Sequence, residues 1–146
     1  MFKRQLEAVL GLDFASKQVF RGVYAMDRLP KRQSPGAYVL NFDDHDEPGS
    51  HWVAVYDDGC QVEYMDSYGY PPLDQRCVAF LGAKYEYNSV PLQRMFSKAC
   101  GYYCLYFILH RARGSSAADV IDVLSRTESD AVVKQFVYSR YKPIFN

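Results

Sequence analysis

From Cys100 to Arg113 the sequence reads CGYYCLYFILHRAR. The stretch is apolar on nearly every face until its basic end, and Gly114 stands where a helix C-cap belongs. A helix that is apolar all round lies inside a fold, because a surface helix keeps one polar face for water. The rest of the chain is therefore read as a set of elements packed around a buried helix. That helix begins with a cysteine, directly after the irregular segment from Pro91 to Ala99.

Upstream, three short segments rich in Val, Tyr, Phe and Trp occupy Ala37 to Phe42, His51 to Tyr56 and Gln61 to Asp66. Turn-forming residues separate them, Asp43 to Ser50 and then Asp57-Asp58-Gly59, so they read as an antiparallel meander. Phe2, Leu6, Val9 and Leu10 recur at helical spacing before Gly11, which predicts a first helix near residues 2–10 with Gly11 as its C-cap. Leu73 to Leu81 predicts a helix with proline in its first turn, after Pro71 and Pro72, and Lys84 to Val90 predicts another strand. Downstream of the central helix, Ser115 or Ser116 can cap a helix through Leu124, and Glu128 to Tyr141 is a further amphipathic stretch. The expected class is α+β: a central, mostly antiparallel sheet, and a buried helix flanked by further helices.

A chain of 146 residues without repeats or linkers is read as a single domain over 1–146. With 49% hydrophobic and 23% charged residues, disorder and low complexity are excluded. The 17 basic and 17 acidic side chains cancel, so no global field draws in nucleic acid or anionic lipid. The charges are nonetheless segregated: residues 43–66 carry 8 acidic groups and no basic one, between flanks that are each net basic. Most of these acids read as a solvated loop and turn residues, Asp66 alone being singled out. The longest apolar run, Gly101 to Leu109, is too short to cross a bilayer, and no apolar signal segment follows Lys3 and Arg4. The expectation is an intracellular protein, neither membrane-spanning nor secreted. Cys60, Cys77, Cys100 and Cys104 are then reduced thiols rather than staples.

Four residues can carry chemistry. Cys100 at a helix N-terminus faces the positive end of the helix dipole, which favours the thiolate; the competing reading is a small buried hydrophobe. His51 opens a strand and can act as a general base toward a thiol. Asp66, at the end of the next strand, is brought alongside His51 by the hairpin and can fix the imidazole; otherwise it is an ordinary turn-initiating Asp. Gln93 lies seven residues before Cys100, where its amide can donate to an oxyanion, or simply face solvent. Gly101 allows close approach of a backbone or a substrate. Trp52, taken by itself, reads as core. A zinc site from Cys100, Cys104 and His110 is set aside because His110 falls off the helical face of the two cysteines. Cys104 reads as core packing, with a regulatory disulfide as the alternative.

Taken in order, His51-Trp52, Met65-Asp66-Ser67-Tyr68-Gly69, Gln93 and Ala99-Cys100-Gly101-Tyr102-Tyr103-Cys104 resemble the adenovirus-protease-like cysteine peptidases, the superfamily that includes the SUMO-specific proteases. The Ala-Cys-Gly segment, with a second cysteine four residues on, looks most like the adenovirus branch. Gly22-Val23-Tyr24-Ala25 and Asp27-Arg28-Leu29-Pro30 also resemble the N-terminal part of proteases of related viruses and large virus-like transposons. Asp66 departs from the Glu of the adenovirus enzyme and matches the acid of the SUMO-protease branch.

The resemblance implies a thiol endopeptidase that cleaves near Gly-Gly or Gly-X-Gly, with His51, Asp66, Gln93 and Cys100 catalytic and Trp52 and Gly101 bordering the substrate. It implies precursor proteins of a virus or transposon as partners, in the host nucleus or cytoplasm and in the particle. No cofactor is required by the sequence; an activating peptide or DNA comes in by resemblance alone, and no counterpart of the peptide-linked cysteine stands upstream of Gln93. The alternatives are a processing protease for a ubiquitin-like protein and a catalytically idle module that holds glycine-rich tails.

Overall fold

In the computed structural model, which describes residues 1–47 and 50–145, five strands form one mixed sheet in the order β1-β2-β3-β4-β5. The meander is present as β2 (Gly36–Asn41), β3 (Trp52–Asp57) and β4 (Val62–Met65), antiparallel throughout, with Asn41 opposite Trp52 and Ala54 opposite Met65. Pro48 and Gly49, part of the turn expected before His51, lie outside the described residues. Both edges are parallel additions. β1 (Phe20–Ala25) pairs with β2, and the strand expected over Lys84 to Val90 is reduced to β5, Glu86–Tyr87, beside β4.

The sheet is covered on both faces. Ala37 and Val39 of β2 and Ala54 and Tyr56 of β3 face a cluster built with Leu6, Val9 and Leu10 of α1 (Lys3–Leu12) and the whole inner surface of α3 (Cys100–Ala112). Tyr38, Leu40, Val53 and Val55, one residue out of phase, face a second cluster with Cys77, Phe80 and Leu81 of α2 (Gln75–Leu81). Alternate burial on two faces explains why β2 reads as a continuous apolar run. α4 (Ala117–Ser125) and α5 (Ser129–Phe145) close the far side of α3, which is buried from Tyr103 through Leu109 as its composition predicts.

Several element ends differ from expectation, each for a local reason. α1 runs through Gly11 to Leu12, because Asp13 supplies the stop: its buried carboxylate takes the Ser16 amide (2.9 Å), Arg113 (2.5 Å) and the Tyr141 hydroxyl (2.7 Å). Burial works against ionisation there, but those bonds hold the Asp13 carboxyl well below the usual carboxylate range. α2 starts after the prolines rather than around them, since Asp74 accepts the Arg76 amide at 2.8 Å and caps the helix. Ser116 caps α4 in the same way, and α5 breaks its helical geometry at Tyr141, ahead of Pro143.

The acidic middle is less solvated than its composition suggests. Asp57 and Glu63 are buried; Asp57 pairs with Arg32 and accepts from Ser34, and Glu63 binds Arg111 at 2.7 Å. Arg111, near the C-terminal end of α3, also reaches Asp58 (3.2 Å) and the Ser115 carbonyl (2.8 Å), and lies over the Tyr56 ring. Opposite charges from the sheet thus fix the far end of the central helix. Among the described residues no helix is long and apolar enough to cross a membrane.

Candidate active site

Three elements converge at one end of α3. His51 is the residue before β3, Asp66 the residue after β4, and Cys100 the first residue of α3. The β3–β4 register sets Ala54 opposite Met65, so the start of β3 and the end of β4 lie side by side. His51 Nε2 bonds Asp66 Oδ1 at 2.8 Å, with the histidine 8% exposed and the carboxylate 1%. The same oxygen accepts the Tyr68 amide at 2.9 Å, and Asn88 clasps the Asp66 backbone, accepting from its N–H (3.0 Å) and donating to its carbonyl (2.7 Å). Asp66 is thereby locked in place. With Nε2 committed to Asp66, His51 and the Cys100 thiol act on each other's titration.

The electrostatics follow from these contacts. Burial by itself depresses the His51 imidazolium, yet Asp66 and then Cys100 outweigh it and raise its pKa to about 9. Burial by itself pushes the Cys100 thiol up, but the bond to His51, the backbone N–H groups of Trp52 and Gly101 and the imidazolium charge hold it below its ordinary 9.0. The two shifts run toward thiolate and imidazolium rather than two neutral groups. The remaining thiols contrast with it: burial lifts Cys77 to about 12 and the fully buried Cys104 well above its ordinary value, and Cys60 is exposed.

Gln93 is only 6% exposed and is not a solvent-facing glutamine. Its Oε1 accepts the Ser67 hydroxyl at 2.5 Å, and its Nε2 donates to the Ser97 carbonyl (2.8 Å) and hydroxyl (2.9 Å). Both amide hydrogens expected to meet an oxyanion are therefore engaged, and Gln93 ties the turn after β4 to the segment that leads into Cys100. The backbone of that segment docks on the same turn, the Leu92 and Gln93 amides both donating to the Ser67 carbonyl. Gly69 makes the turn possible: its φ is +80°, and a Cβ there would lie 2.8 Å from the Pro91 nitrogen.

Trp52 and Gly101, the expected substrate-bordering pair, both touch Met1. The Trp52 indole N–H donates to the Met1 carbonyl at 3.3 Å, and a Cβ on Gly101 would meet the Met1 sulfur at 2.8 Å. A cavity of about 290 Å³ opens beside them, lined in part by Met1, Tyr24, Asn41 and Trp52. The Asn41 amide nitrogen is buried there with no hydrogen-bond partner among the described residues.

The sequence reading did not assign the rings that hold the imidazole. Tyr68 stacks on His51 (5.0 Å between centroids) and Phe42 meets it edge-on (4.9 Å). Tyr68 stands within the stretch that carries the family resemblance, whereas nothing in the sequence distinguishes Phe42 from core. His110 lies apart from the cysteines, bonded to the Tyr106 carbonyl and stacked on that ring. Among the described residues no three His, Cys, Asp or Glu side chains gather to hold a metal ion.

An α+β fold with a cysteine at the head of its central helix, facing a histidine and an acid from the sheet, is the class that this geometry defines. The fold is shared with the ASFV pS273R protease: one crystal structure of that protein matches over 93% of this chain and 65% of its own, at 18% identity and a TM-score of 0.64. A selenomethionine form matches over 68% of this chain and 42% of its own, at 24% identity and a TM-score of 0.47. The chain thus spans less than two thirds of the length of these proteins. No family model matches the sequence, and no curated protein does.

Proposed function

We propose that this chain is a thiol endopeptidase in which Cys100 is the nucleophile. The observation that carries the reading is the convergence of three residues, with His51 ahead of β3 bonded to Asp66 beyond β4 at 2.8 Å and Cys100 at the head of α3. Cys100 Sγ attacks the scissile carbonyl and forms a thioester after the tetrahedral intermediate collapses. His51, protonated below about 9, delivers its proton to the leaving amine and then removes one from the water that cleaves the thioester. Asp66 orients the ring and stabilises its cation. Main-chain N–H groups at the start of α3 face the developing oxyanion, and Gln93 joins them by giving up one of its bonds to Ser97.

The substrates in this reading are extended precursor proteins of a virus or virus-like element, cut near Gly-Gly or Gly-X-Gly inside the cell. Support comes from the fold shared with a protease of ASFV. The test is turnover of a glycine-containing peptide library. Wild-type protein cleaves it, Cys100→Ala and His51→Ala abolish cleavage, and kcat/KM falls above about pH 9 as His51 loses its proton. Capture of a ubiquitin-like probe without peptide cleavage overturns the substrate class, and cleavage that survives Cys100→Ala overturns the mechanism.

A further inference from the structure

Tyr64 is 1% exposed, and its hydroxyl has no hydrogen-bond partner among the described residues. A buried tyrosine ordinarily finds one, because a hydroxyl that gives up water without a replacement destabilises the fold. Tyr64 packs in the cluster with Cys77, Phe80 and Leu81, whereas Met65, next along β4, packs in the cluster with α3. The orphan side chain therefore belongs to the α2 face of the sheet. Burial, and next the Asp66 charge, push the Tyr64 hydroxyl up from its ordinary 10.0, so it keeps its proton and is free to donate.

On that face Tyr64 lines a cavity of about 260 Å³ together with Met26, Phe42 and Cys77, and with the stretch Tyr70 to Asp74 at its rim. Tyr70 and Leu73 are largely exposed, so the rim offers apolar surface that the core does not use. Pro71 and Pro72, between them, hold the rim backbone to a narrow range of φ. Phe42 is also the ring that meets His51 edge-on, which sets the cavity against the back of the candidate active site. Among the described lining residues Asp74 alone is charged, and its carboxylate already accepts the Arg76 amide (2.8 Å) and guanidinium (2.8 Å). An anion would find no cation there, and a cation no unengaged carboxylate. Sites for drug-sized ligands begin at about 300 Å³, so this one suits a single ring with a short substituent.

We propose that this cavity binds a small neutral aromatic molecule with one hydrogen-bond acceptor, such as an aryl ketone, its ring against Met26, Phe42 and Leu73 and its oxygen accepting from the Tyr64 hydroxyl. The proposal goes beyond the endopeptidase reading and does not depend on it.

The probe is acetophenone, compared with ethylbenzene, which has the same outline without the oxygen, and with the benzoate anion. Methyl-labelled methionine gives four NMR signals that report four places: Met26 lines this cavity, Met1 the cavity beside Trp52, Met65 the groove beside β5, and Met95 is exposed. Acetophenone is expected to shift the Met26 methyl alone, saturating with a Kd of about 1 mM or below, and benzoate to leave it in place. Tyr64→Phe discards an unpartnered hydroxyl and is expected to melt no lower than wild type, while weakening acetophenone about fivefold and leaving ethylbenzene unweakened. The site is overturned if acetophenone gives no saturable shift of Met26, if it shifts Met1 or Met65 in its place, or if Tyr64→Phe affects both probes alike. Turnover plays no part in these measurements, so their failure leaves the endopeptidase reading as it stands.

Discussion

Replacing Asp66 by Asn keeps the size of a side chain that is 1% exposed and removes the charge that faces His51. Burial alone would lower the His51 pKa below its ordinary 6.5; instead it stands at about 9, with Asp66 the first of the groups that raise it and Cys100 the second. The span from 6.5 to about 9 corresponds to about 3 kcal/mol in favour of the imidazolium, most of it from Asp66. A pKa raised on folding stabilises the fold fully below about 6.5, and the contribution fades as pH rises through about 9. Asp66→Asn is therefore expected to lose about 2 kcal/mol of stability near pH 6, and much less near pH 9. The same change weakens the partner of the Cys100 thiolate, so alkylation of Cys100 by iodoacetamide slows about tenfold or more near pH 6.5. Urea melts at the two pH values give the first quantity, and mass-spectrometric mapping of adducts over time gives the second, with the buried Cys77 and Cys104 as slow internal standards. An unchanged alkylation profile in Asp66→Asn, or a stability loss independent of pH, would refute the coupling of the three groups.

Two further perturbations probe the frame. Gly69→Ala forces a Cβ to within 2.8 Å of the Pro91 nitrogen at a φ of +80°, and is expected to cost about 2 kcal/mol or more in urea denaturation, with turnover falling alongside because the turn positions Gln93. Arg111→Met leaves Glu63 buried without its cation and is expected to cost about 3 kcal/mol or more, whereas Arg111→Met combined with Glu63→Leu recovers most of the loss in a thermal melt; equal stability of the two variants contradicts the buried pair.

What the sequence made legible depends on where the determining physics lies. The central helix and the three-stranded meander were readable because their signals are local: unbroken apolar composition in one, turn residues between β-rich runs in the other. β1 was not, because Arg21 and Gly22 interrupt its pattern and most of its residues are only partly buried at the sheet edge. The ends of α1 and α2 were misplaced by one-residue signals, Gly11 and the two prolines, that longer-range or adjacent carboxylates override. At the site, His51, Asp66 and Cys100 could be brought together from the hairpin register and the helix start. The bracing of Gln93 by Ser67 and Ser97, and the stacking of Tyr68 on His51, depend on how a turn and a loop meet, which no periodicity encodes.

Arg111 stands eleven residues beyond Cys100 on the same rigid helix, about 17 Å along its axis. Its bonds to Glu63, Asp58 and the Ser115 carbonyl anchor one end of a rod whose other end carries Cys100, the proposed nucleophile. The seat of the Cys100 sulfur thus depends on ion pairs at the opposite pole of the molecule. Substitutions at positions 58, 63 and 111 are expected to loosen the far end of α3, and with it the placement of Cys100 and Gly101 relative to His51.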